Sequence, residues 1–221
     1  MYRSLRERFY LTWSLIPIGA LYLGRWGLFL WLFPPLARMA PWQRGAWLTL
    51  IRFVLIGVVL WLERGRWKDF FITRHNLMSA IQDGLWISVA FIPIGWLYAR
   101  LTLGGVYWLP VQDWLITFLA AFVPAGLQEE LEYRAFLLGV TQRWKIAPLW
   151  AIVLIGLLFG PVHHNRYIWQ GDFLTLGIVT AFGFLATWLT LKRQNVAGAI
   201  IGHTAMDFLI FLFIGGKVST L

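Results

Sequence analysis

Apolar runs long enough to cross a bilayer recur along this chain, and one of them carries a cluster of charge. They cover residues 10 to about 35, 46–62, 77–97, 111–142 with an interruption, 149–164, 173–191 and 196–214. At about 1.5 Å per residue, roughly 20 helical residues cross about 30 Å of hydrocarbon. The pattern predicts an all-α polytopic membrane protein, a bundle of seven transmembrane helices. It becomes eight if Pro124 and Gly126 divide the fourth run rather than bend it. The motif-bearing helices fall in the C-terminal half.

Composition agrees. Hydrophobic residues make up 59% and charged residues 13% of the 221, against about 25% charged in soluble domains. That excludes an ordinary globular enzyme. The 15 Trp, 17 Phe and 7 Tyr suit helices whose ends sit at lipid interfaces. The net charge of +9 does not point to nucleic acid, because the basic residues are scattered between apolar runs rather than gathered on one face. Membrane lipids and cytoplasmic loop retention account for them. With no cysteine, disulfides and thiolate chemistry are excluded.

Arg3, Arg6 and Arg8 precede the first run, which is too long for a signal peptide and reads as a first span. Arg25 and Arg52 must snorkel or pair within their runs. With seven spans, the N-terminal side holds eleven Lys or Arg and the opposite side five. The positive-inside rule then places the N-terminus in the cytoplasm and the C-terminus across a prokaryotic cell membrane. No repeat or linker divides the chain, so 1–221 reads as a single transmembrane domain, with accessory helices over 1–105 and a helical core over 106–214 that carries the charged motifs.

The charged run is GLQEELEYRAFLLG, residues 126–139. Ionisable groups at membrane depth are costly and call for a function. On a helix Glu129 shares a face with Tyr133, and Glu130 shares the adjacent face with Arg134. Glu130 is thus neutralised by Arg134 and Glu129 is left for chemistry, while Glu132 reads as a polar neighbour. The turn at 143–148 is short, so the next helix returns antiparallel. Glu129 and His163 then stand about 20 Å from the turn, with Phe159 one turn before His163. His164 lies about 100° around the helix and reads as interfacial, and His75 as a loop residue. His203 and Asp207, four apart, share a face of the last helix, but at a shallower depth that a recessed or tilted helix start would correct.

Glu129-Glu130-x-x-x-Arg134, Phe159-x-x-x-His163 and His203-x-x-x-Asp207, in that order and each in an apolar run, resemble the three motifs of the CPBP family. This family holds the CAAX prenyl endopeptidases and the bacteriocin-processing or immunity (Abi) proteins, described as glutamic-type intramembrane proteases. The resemblance covers roughly 110–214. Asp207 departs from the family's usual Asn. The resemblance implies a water held by Glu129 and His163, with His203 and Asp207 stabilising the tetrahedral intermediate. Glu130, Arg134 and Phe159 are then supporting residues. Residue chemistry permits the same roles, with Glu129 as base, His163 orienting the water and His203 donating to the oxyanion.

No cofactor is required. A divalent metal such as zinc is the rival route, with Glu129, His163, His203 and Asp207 as its ligands, although the HExxH spacing is missing. The expected partner is a protein or peptide substrate, with or without a lipidated or hydrophobic tail. The competing reading is a non-hydrolytic membrane protein: an immunity factor, a peptide binder, or a transporter with a buried charge relay.

Overall fold

The computed structural model describes residues 15–23 and 28–215. Arg3, Arg6, Arg8, Arg25 and Lys217, and residues 10–14 and 24–27 of the predicted first span, lie outside the described residues. Two compact units are present, Met1–Phe70 and Phe71–Leu221. Among the described residues all regular structure is helical.

In the first unit, helices over 15–23, Leu28–Leu32 and Pro34–Ala37 precede α1 (Pro41–Leu62). Pro41 opens α1 at its first turn, where a missing N–H costs nothing. The predicted loop after it holds a single turn of 3-10 helix, Trp67–Phe70. Trp67 Nε1 donates to the Leu60 carbonyl at 2.9 Å, and Arg66 pairs with buried Glu63 at 2.9 Å.

In the second unit α2 spans Leu77–Leu103, longer than the predicted 77–97. A continuous helix, α3, runs over 114–143, followed by α4 (Pro148–His163), α5 (Phe173–Arg193) and α6 (Ala197–Ile214). Among the described residues four helices are long and apolar enough to cross a membrane: Gln43–Leu62, Leu77–Leu103, Phe173–Arg193 and Ala197–Ile214. Pro148–His163 is a shorter apolar helix.

The predicted interruption of the fourth run is not a break. Pro124 sits inside a π-helical segment, Ala121–Glu129, and a second, Leu131–Leu137, follows. Proline clashes with the carbonyl four residues back. Widening the turn to i→i+5 bonding accommodates that clash without ending the helix. Pro161 lies in a third π segment, Leu158–His163, at the end of α4.

Helix α6 packs against α2, α5 and the first π segment of α3. Its approach to α2 is close because both faces carry glycine: a Cβ on Gly84 would stand 2.7 Å from the Gly198 carbonyl oxygen. Small residues that let backbones approach are a common basis of helix association in lipid. The start of α6 is tucked under the 71–76 loop. Asn195, 3% exposed, donates to the Thr73 and His75 carbonyls, and Val196 N donates to the Phe71 carbonyl. At the other end Tyr107 N and Leu109 N donate to Phe213 and Leu212, capping carbonyls that helix termini leave unsatisfied.

Candidate functional site

The three π segments meet at one place and carry most of the charged and aromatic residues there. Glu129 ends the first, Tyr133 and Arg134 lie in the second, and Phe159 and His163 in the third. π turns recur at functional sites because they redirect side chains that an α-helical register would hold elsewhere.

Glu129 and His163 are joined across the α3–α4 hairpin, His163 Nε2 lying 3.0 Å from Glu129 Oε1. Both remain partly accessible, with side chains 16% and 14% exposed. The turn between the helices is tight, with Lys145 N bonded to Gln142 and Ile146 N to Thr141. Pro148 starts α4. The equal depth predicted for Glu129 and His163 is therefore found.

Glu130 faces a sealed layer. Arg134 Nη1 donates to Glu130 Oε1 at 2.7 Å, and His203 Nδ1 lies 2.7 Å from the same oxygen. Glu130 and Arg134 are fully buried and His203 is 2% exposed. The depth mismatch expected for His203 does not keep it from Glu130, and the start of α6 is tied by hydrogen bonds to the 71–76 loop. His203 Nε2 points to Asp207 at 3.8 Å, an ion-pair distance beyond hydrogen bonding, and the Asp207 side chain is 28% exposed.

Phe159 is the hub of the layer. Its fully buried ring lies edge-on to Tyr133, His164 and His203, with centroids 5.2, 5.2 and 5.4 Å away. The Arg134 guanidinium sits 4.0 Å from the Phe159 centroid, a cation–π contact that partly compensates a buried charge. Gln128 and Glu132 are buried on another face, with Gln128 donating to Glu132 at 3.2 Å.

His164 departs from its sequence reading. It was expected about 100° away from the site, yet its ring centroid is 4.3 Å from that of His163. The π segment ends at His163, and His164 caps it with non-helical backbone angles, φ −99° and ψ 31°, so the α-helical wheel does not apply to it. Glu129, His163 and His164 each place one ligand atom within 4.8 Å of the others, so this group has the spacing to hold a metal ion. The predicted ligand set differs: His203 and Asp207 fall outside the cluster, and His203 Nδ1 is engaged by Glu130. Two imidazoles and a carboxylate are a donor set that zinc accepts with a position left open.

Comparison with known proteins supports the motif reading. Residues 110–209 match the family model described as Rce1-like, type II CAAX prenyl endopeptidase Rce1-like. A curated Bacillus subtilis (strain 168) protein, named uncharacterized protein YyaK, is 32% identical over 114 residues. That match covers 48% of this chain and 36% of the relative, so the chain spans about a third of the relative's length. No solved structure matches. Over residues 110–209 the chain is thus similar to the Rce1-like family, consistent with the CPBP resemblance of its three motifs.

Proposed function

We propose that the protein is an intramembrane endopeptidase that hydrolyses a peptide bond of a membrane-associated protein or peptide with a water activated by Glu129 and His163. The observation that carries the reading is the 3.0 Å Glu129–His163 pair, partly accessible and backed by a sealed Glu130–Arg134–His203 layer. The family match adds the protease class.

In this mechanism His163 orients the water, whose oxygen attacks the scissile carbonyl carbon while a proton passes to the Glu129 carboxylate. Glu129 then delivers that proton to the leaving amine nitrogen as the C–N bond breaks. Arg134 and Glu130 hold the charges of α3 in place, and Phe159 fixes the rings against them. With His203 Nδ1–H donated to Glu130, Nε2 can donate to an oxyanion only from the doubly protonated ring. Asp207, at 3.8 Å, then orients and balances that ring. A neutral ring would instead present an acceptor at Nε2, and a protonated Asp207 would serve as the donor.

No metal is needed for these steps. A divalent ion held by Glu129, His163 and His164 would act as a Lewis acid and lower the pKa of a bound water. Counting α3, α4 and the N-terminal run with the four long helices gives the proposed seven spans, N-terminus cytoplasmic. The substrate is tested with two peptide reporters, one with a farnesylated CAAX-type tail and one with an unmodified hydrophobic tail. Reconstituted protein should cleave at least one of them, and Glu129→Gln should cleave neither. Equal turnover by that variant removes Glu129 from the mechanism.

A further inference from the structure

We propose that the His164 imidazole is a third holder of the nucleophilic water, acting with Glu129 and His163; this rests on the hydrolytic reading of the site. The geometry comes first. One ligand atom each from Glu129, His163 and His164 lies within 4.8 Å of the other two. For any three points so spaced, some position lies within about 2.8 Å of all of them, the hydrogen-bond distance of a water oxygen.

A second observation is independent. His164 Nε2 is buried and has no hydrogen-bond partner among the described residues, although buried polar atoms are nearly always satisfied by protein or ordered water. Buried waters typically make about three hydrogen bonds. A carboxylate and two imidazoles supply that number. The ring is also held in place: it stacks on Tyr167 at 5.8 Å and 17°, meets Phe159 edge-on at 5.2 Å, and His164 N donates to the Gly160 carbonyl. A ring serving only as an interfacial anchor would not need its polar edge buried beside His163.

The chemical consequence is orientation. With three holders, one lone pair of the water is directed to the carbonyl carbon while one O–H points to Glu129. The water gives its proton to Glu129 and its oxygen to the new C–O bond. His164 exchanges no net proton over the cycle. Misplacing a nucleophile by about 1 Å can cost 10²-fold.

The test uses the full chain in lipid, with 15N-labelled histidine and the two peptide reporters. Water-edited 15N spectra, assigned by single His→Gln variants, should show transfer from water to ring nitrogens of His163 and His164, with none to His203. His164→Phe, which keeps the stacking on Tyr167 and Phe159, should lower kcat on the order of 10- to 100-fold with KM within about twofold. His164→Gln, which restores a polar atom, should recover most of that loss. Absence of water transfer to His164, or a kcat for His164→Phe within about twofold of the parent, overturns the proposal. So does a loss of kcat that Gln does not rescue at unchanged thermal midpoint. If the parent protein cleaves neither reporter while water transfer to His164 is present, the hydrolytic reading fails and the bound water stands.

Discussion

Glu129 and Glu130 are neighbours in sequence and face different surroundings: Glu129 meets His163 at a partly open site, and Glu130 is sealed between Arg134 and His203. In the proposed mechanism one carboxylate serves the chemistry and the other holds the frame. The division follows from a helical register that sends successive side chains to adjacent faces. It makes the consequences of substitution separable.

The first consequence concerns stability. Arg134→Met leaves Glu130 and His203 in a fully buried layer without the guanidinium that balances them. Breaking one side of a buried pair typically costs about 3–5 kcal/mol. Thermal unfolding in detergent should show a large fall in midpoint for Arg134→Met and little change for Glu129→Gln. Equal midpoints for the two variants would assign Glu130–Arg134 no structural role.

A second prediction tests the α2–α6 approach. A Cβ on Gly84 would lie 2.7 Å from the Gly198 carbonyl oxygen and 2.9 Å from Ile201 Cβ, so backbone must move. Gly84→Ala should destabilise by about 1–3 kcal/mol, the usual range for overpacking. Gly177→Ala, whose added Cβ meets nothing within 4 Å, should be neutral or gain up to about 1 kcal/mol from helix propensity. Unfolding midpoints of both variants decide it.

The metal question has a direct measurement. On the water-only mechanism, chelation and dialysis leave peptide cleavage within about twofold of the untreated rate. A loss restored by zinc, and no longer restorable in His164→Ala, would make Glu129, His163 and His164 a metal centre of the kind their spacing permits.

Much of this site was legible in the sequence because it depends on helical spacing. Glu130–Arg134 pairing follows from a four-residue separation, and the meeting of Glu129 with His163 from counting residues either side of a short turn. The four long apolar helices were visible as runs, α2 extending further than expected because Arg100 is carried within its last turn. What could not be read was the local winding. An α-helical wheel puts His164 away from His163, whereas His164 is the non-helical cap of the segment Leu158–His163 and its ring stands 4.3 Å from that of His163. The Pro161 within that segment was the available signal, as Pro124 was for the unbroken α3. The bond from His203 to Glu130 was hidden because its depth depends on Asn195 and Val196 tying the start of α6 under a distant loop.

The most direct test of the central claim is single-turnover cleavage of the reporter peptides by the parent protein and by Glu129→Gln in the same lipid. Loss of a general base typically costs about 10²–10⁴ in rate. A fall of about 10³-fold or more in Glu129→Gln, with insertion and thermal midpoint unchanged, is the predicted result. A variant that folds and cleaves at the parent rate would contradict the account.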